Sequence, residues 1–173
     1  MRLKGYDYTQ AGAYLVTVCT HGRMCIFGKI EDSMVQQNGV GRLVDAAWEG
    51  VAERFEKVEL DEFIVMPNHL HGIIVILDAT EKEKDRTEKR LGDIVGAFKS
   101  IVIYEYIVRV RRGEFPPFDR RLWQRNYHDH IIHSEKALNA VRQYIIMNPL
   151  RWSLDHENPA RQGRPPRIGR SVT

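Results

Sequence analysis

Two apolar runs, 63–66 and 70–77, are joined by Pro67-Asn68, and the second opens with His69-Leu70-His71. Val58 to Met66 and His71 to Leu77 read as two strands, because a proline in the joint argues against one continuous strand. Side chains alternate across a strand, so residues i and i+2 share a face. His69 and His71 therefore sit side by side, and Leu70 points away from them into a core. Neutral imidazole is the commonest protein metal ligand, and two held this way make half a site for a divalent ion. The same spacing equally describes two half-exposed histidines at a strand start, with no ligand at all.

The rest of the chain supplies partners for this pair of strands. Residues 13–20 read as a strand, His21-Gly22-Arg23 as a turn, and Met24 to Ile30 as a short strand that pairs back on the first. Residues 36–41 read as a loop. Leu43, Val44, Ala47, Trp48, Val51, Ala52 and Phe55 repeat at helical spacing, so 41–55 is a helix with one buried stripe. A mixed-charge run from Asp78 to Arg90 has no apolar stripe and reads as a solvated segment. A second helix spans 91–112, with Ile94, Val95, Phe98, Ile101, Val102, Tyr104 and Tyr106 toward the core, and Pro116-Pro117 lie beyond its end. Residues 122–133 lead into a strand. Ser134 is placed to cap a last helix, 135–147, which stops at Asn148-Pro149. The βαββαβ order predicts an α+β, ferredoxin-like split βαβ fold: an antiparallel sheet with helices on one face, plus an extra C-terminal helix. One domain over 1–152 and a basic, Pro/Arg-containing tail over 153–173 are expected.

At 173 residues, 43% apolar and 28% charged, the chain is ordinary for one soluble globular domain. No apolar stretch is long enough to span a bilayer, and the first residues lack the apolar core of a signal peptide. Cys19 and Cys25 match no zinc or C-x-x-C spacing, so a reduced, cytoplasmic protein is expected. The net charge of +3 says little, but its distribution says more. Arg109, Arg111, Arg112, Arg120, Arg121 and Arg125 crowd one region, and Arg161, Arg164, Arg167 and Arg170 follow in the tail. Clustered arginines bind phosphates and are the footprint of nucleic-acid binding, although a solvated basic surface has the same composition.

On the last helix Tyr144 and Asn148 lie one turn apart on the same face. Asn148 offers an amide oxygen to a hard cation, and Tyr144 a phenol that becomes a nucleophile beside a polarised electrophile. Read blandly, the tyrosine is a half-buried aromatic and the asparagine a common helix-terminal residue. A second H-x-H, His128-Asp129-His130, is flanked by Tyr127 and His133 and makes a rival site that spacing alone does not exclude.

Three motifs occur together: Met66-Pro67-Asn68-His69-Leu70-His71, Trp123-Gln124 followed by Tyr127-His128-Asp129-His130, and Tyr144-Ile145-Ile146-Met147-Asn148-Pro149. With the strand holding Phe27 and the helix around Phe98-Lys99-Ser100, they resemble the HUH single-tyrosine transposases over about residues 5–152, most closely the REP-associated (IS200-like) group. The resemblance implies that His69, His71 and Asn148 bind a divalent metal, Mg2+ or Mn2+, and that Tyr144 is the catalytic nucleophile. Mobile members more often carry glutamine at the Asn148 position, so asparagine points to the REP-associated branch. His128 and His130 match a motif not assigned to the metal. The implied activity is nicking and strand transfer of single-stranded DNA bearing a hairpin or palindrome, through a 5′-phosphotyrosine link. Lys99, Arg109, Arg112, Arg120, Arg121 and Arg125 are expected phosphate contacts. Monomer and homodimer both fit the resemblance. A host-retained relative that binds hairpin nucleic acid without cutting it is the alternative.

Overall fold

The computed structural model describes residues 11–78, 90–118 and 120–162. The mixed-charge run over 79–89 and the tail arginines Arg164, Arg167 and Arg170 lie outside the described residues. The described elements are β1 (Gly12–Cys19), β2 (Gly28–Glu31), β3 (Met34–Gln37), α1 (Gly39–Arg54), β4 (Val58–Val65), β5 (His69–Ile76), α2 (Leu91–Arg111), β6 (His128–Ile132) and α3 (Glu135–Ile146). Short 3₁₀ turns add His21–Arg23, Pro149–Leu154 and Pro159–Gln162.

β4, β5, β1 and β6 make one antiparallel sheet in that order. Without the β2–β3 hairpin, the element order β1-α1-β4-β5-α2-β6 is the expected ferredoxin-like split βαβ. β1 is central, paired along its length with β5 and over Ala13–Thr17 with β6. Alternation then divides the sheet. Tyr14, Val16 and Val18 of β1 and Leu70, Ile74 and Ile76 of β5 are buried in one apolar cluster with α1 and α2 residues. Ile73 joins the other, smaller cluster, beneath Ile145 of α3.

The larger cluster forms where α1 and α2 meet the sheet. Asn38 caps α1, its side chain accepting from the Val40 and Gly41 amides. Trp48 is wholly buried, edge-on to Phe98 with ring centroids 5.1 Å apart. It lies directly over Gly72, where a Cβ would stand 2.4 Å from the indole, so the strand carrying the histidine pair needs glycine there. On α2 the buried stripe is Leu91, Ile94, Val95, Phe98, Val102 and Tyr106. Tyr104, expected inside, is 67% exposed because its position falls between the turns that face the core. Tyr106 donates to the Pro116 carbonyl at 2.9 Å and pins the chain as it leaves the helix.

β2 departs from expectation. It pairs with β3 in a separate two-stranded sheet, not with β1, and β3 takes up part of the expected loop. Both edges of β1 are already filled by β5 and β6. Asp32 and Ser33, both at positive φ, close a two-residue turn that favours the local hairpin. No helix among the described residues is long and apolar enough to cross a membrane.

Candidate active site

The joint between β4 and β5 is fixed by its own backbone. The Asn68 carbonyl accepts from the Thr20 amide at 2.9 Å, and the Pro67 carbonyl from the Phe27 amide at 3.0 Å. The Asn68 side chain, fully buried, then sets the chemistry of its neighbour. Its Nδ2 donates to the carbonyls of Glu157 (2.7 Å) and Arg23 (3.1 Å), which fixes the orientation of the amide. Its Oδ1 faces His69 Nδ1 at 2.9 Å, and an amide oxygen only accepts. His69 therefore carries its proton on Nδ1 and turns a bare lone pair outward from Nε2. That Nε2 is buried and has no hydrogen-bond partner among the described residues.

His71 lies on the same side of β5, its ring centroid 4.5 Å from that of His69. Its Nδ1 meets Thr17 Oγ1 at 2.7 Å, and its Nε2 stands 3.2 Å from the Tyr144 hydroxyl. Both histidines are buried, His69 at 0% and His71 at 5% exposure. Burial pushes the His71 pKa down to about 4. Burial, then the nearby His71 and Arg23, hold His69 well below the usual imidazole range. Both rings are thus neutral at pH 7, the form that binds a metal without displacing a proton.

The other wall comes from the C-terminal end of the chain. Ser134 caps α3 as expected, accepting from the Ala137 amide. Arg142 clasps Asp61 of β4 through two bonds of 2.8 and 2.6 Å, and Ile145 packs on Ile73 and Ile132. This docking brings Tyr144, 41% exposed, over His71. Burial and then the Asp155 carboxylate raise the phenol pKa, and hydrogen bonding from Asn148 opposes them. Asn148 is 3% exposed, and its Oδ1 is buried without a partner. Past α3 the chain contributes Asp155, whose Oδ2 lies 3.8 Å from His69 Nε2. Burial raises the Asp155 pKa. Glu157 is held by Arg23 at 2.9 Å, and its carbonyl by Asn68, so the joint also anchors this wall.

The resulting cavity, about 360 Å³, is lined by His71, Tyr144, Asn148, Asp155 and the residues around them. The ligand atoms of His69, His71 and Asp155 all lie within 4.8 Å of one another, and this group could hold a metal ion. The site fits one on two counts. A lone pair on His69 Nε2 faces a carboxylate across a gap too long for a hydrogen bond. The Asn148 oxygen, buried beside the same cavity, meets no donor among the described residues. Asp155 was not singled out in the sequence, where it stands in a segment that reads as tail. The one available signal was an acidic residue in a basic stretch.

Among the described residues the rival histidine pair joins no group that could hold a metal ion. Pairing puts His128 opposite Thr17 and His130 opposite Leu15, and Asp129 opposite Val16 points to the other face. Both histidines are exposed, and His128 lines the same cavity as Tyr144. The basic residues divide. Lys99 spends its ammonium on the Gln124, Arg125 and Asn126 carbonyls, at 2.7, 3.3 and 3.4 Å, and burial lowers its pKa. Arg109 pairs with Glu105 at 2.6 Å, and Arg112 stands 4.0 Å from Glu114. Arg120, Arg121 and Arg125 are exposed.

The fold is that of the IS200/REP-type tyrosine transposases. A REP-associated tyrosine transposase bound to a REP hairpin superposes with a TM-score of 0.60 at 17% identity, over 100% of this chain and 94% of that one. A Deinococcus radiodurans R1 protein with a provisional transposase assignment gives 0.51 at 20% identity, over 84% and 95%. No family model matches the chain. An uncharacterized protein of Haemophilus influenzae Rd is 37% identical over 168 residues, 90% of this chain and 89% of that one. The chain belongs to one family with that protein, and the family has the tyrosine transposase fold.

Proposed function

We propose that this protein nicks and rejoins single-stranded DNA, with Tyr144 as nucleophile. The observation that carries the reading is the phenol oxygen 3.2 Å from Nε2 of a buried, neutral histidine, beside lone pairs that no protein donor meets. His69, His71, Asn148 and Asp155 would hold one Mg2+ or Mn2+ ion, which supplies positive charge for a non-bridging oxygen of the scissile phosphate. Thr17 fixes the His71 ring and Asn68 the His69 ring. Tyr144 attacks phosphorus, leaving a 5′-phosphotyrosine and a free 3′-hydroxyl. The new ester keeps the phosphodiester's energy, so a second 3′-hydroxyl can reverse the step without ATP. An intact duplex would bar a helix-borne tyrosine from in-line approach, which supports single-stranded DNA as substrate. One neighbouring structure holds a REP hairpin, which supports a hairpin or palindrome as the recognised feature. Arg120, Arg121 and Arg125 are exposed and Arg151 lines the cavity itself, and these are the basic residues we assign to phosphate contacts.

The test is incubation of the protein with Mn2+ and a synthetic single strand carrying a hairpin and randomised flanks, followed by a denaturing gel. A protein–DNA adduct is expected from the wild type and none from Tyr144→Phe. An equal adduct from Tyr144→Phe removes Tyr144 from the role. No adduct from the wild type removes the reading.

A further inference from the structure

The His128-Asp129-His130 motif has no part in the metal-binding group, yet one of its residues faces the reaction space. β5, β1 and β6 lie side by side, with His71 opposite Thr17 and Thr17 opposite His128. The three side chains stand in one row across the same face of the sheet and all line the same cavity. At about 4.8 Å per strand, the backbones of His71 and His128 are roughly 10 Å apart. Tyr144 Oη stands at the His71 end of this row. In-line displacement puts the leaving oxygen on the far side of phosphorus from the nucleophile. A phosphorus above Thr17 therefore has its attacking oxygen on the β5 side and its leaving oxygen on the β6 side, where His128 is exposed to the cavity.

A deoxyribose 3′-alkoxide is a poor leaving group unless it is protonated as it departs, and few lining groups can do that. His71 stands at the opposite end of the row with both ring nitrogens engaged, and His69 lies behind it, outside the cavity lining. Arg151 offers only a guanidinium, which does not serve as a general acid. Asp155 and Glu157 belong to the metal-binding wall, and His156 lies between them in sequence. Resting on the nicking activity proposed above, we propose that His128 is the proton donor to the leaving 3′-oxygen. In cleavage the Tyr144 Oη–phosphorus bond forms, and the phenol proton passes to water at the open side of the ring. The phosphorus–O3′ bond breaks, its electron pair stays on O3′, and a ring nitrogen of protonated His128 delivers the proton. In joining, neutral His128 takes the proton from the attacking 3′-hydroxyl, as microscopic reversibility requires.

The test replaces the leaving oxygen. The wild-type cleavage position is mapped on the hairpin strand, and a second strand is made with sulfur in place of the bridging 3′-oxygen there. A thiolate leaves without a proton. His128→Ala and His128→Gln are expected to form adduct about 100-fold more slowly than wild type on the oxygen strand. On the sulfur strand both should match wild type within about threefold, and His133→Gln, exposed and outside the cavity lining, should match it on both. Tyr144→Phe should give no adduct with either. An equal defect on both strands makes His128 a packing or DNA-holding residue and overturns the proposal, as does no defect at all. Sulfur rescue of His156→Gln instead would move the role to His156. A wild type that forms no adduct overturns the nicking reading and this proposal together. An adduct without differential rescue overturns this proposal alone.

Discussion

The two faces of the sheet use the same strands for opposite ends. On the α1/α2 face Tyr14, Val16, Val18, Leu70 and Ile74 are fully buried in one large apolar cluster. On the α3 face the apolar contacts shrink to Ile73, Ile132 and Ile145 with a partly buried fringe, and beside them opens the cavity lined by Thr17, His71, Tyr144, Asn148 and Asp155. Residues adjacent in sequence, Leu70 and His71, belong to different environments because the pleat sends them apart. The dry face can hold the fold without help, which leaves the wet face free to keep buried groups unpaired, an arrangement that costs stability. A site of orphaned lone pairs is tolerable only over such a foundation.

The largest test of this division lies on the dry face. Trp48→Ala removes the largest fully buried side chain and should cost about 3–5 kcal/mol, read as a lowered denaturation midpoint with an unchanged slope. Below its melting temperature the variant should still bind Mn2+ with the wild-type constant. A matching loss of metal affinity would break the comparison, since it would show the site leaning on the indole through Gly72.

What could be read in advance follows the same division. The dry face was legible because it rests on local periodicity: the α1 stripe through Leu43, Val44, Trp48 and Val51 is buried as its spacing predicts. Alternation put His69 beside His71 and the helical turn put Tyr144 beside Asn148, but only the resemblance to the tyrosine transposases chose them over His128 and His130. Tyr104 failed because apolar composition was read where angular position decides. β3 failed because Met34-Val35-Gln36-Gln37 is short and half polar, and its pairing depends on the turn at Asp32-Ser33. Asp155 was illegible for a different reason. It reaches His69 only because Asn68, 89 residues before Glu157, catches that carbonyl. No local pattern carries so distant a contact.

Asn68 supplies the next test. It touches no ion, yet it fixes the His69 tautomer and ties down the wall that bears Asp155. Asn68→Ala should weaken Mn2+ binding about 10- to 100-fold by calorimetry, the usual cost of losing an outer partner. Unchanged affinity would mean that His69 keeps its orientation by packing alone, and the wet face would then be less dependent on hydrogen bonds than the comparison holds.

The smallest effect concerns how α3 stays on the wet face. Its apolar footing is thin, so the Asp61–Arg142 clasp should matter more here than a similar pair would on the other side. Hydrogen bonding from Arg142 holds the Asp61 carboxyl below its ordinary range. A folded-state pKa lower than the unfolded one means that the unfolded chain binds the proton more readily. The clasp therefore contributes fully above about pH 4, the unfolded carboxylate value, and its contribution fades as pH falls through the lower folded value. Asp61→Asn should lower the melting temperature slightly at pH 7, and the gap from wild type should close in acid. Added salt should narrow it as well, because the guanidinium is partly open to water. The variant should also slow adduct formation through Tyr144, two residues from the clasp, while leaving Mn2+ affinity at His69 and His71 nearly unchanged. A gap that persists at low pH and high salt would show that Asp61 holds the strand irregularity between Leu60 and Phe63 rather than the helix.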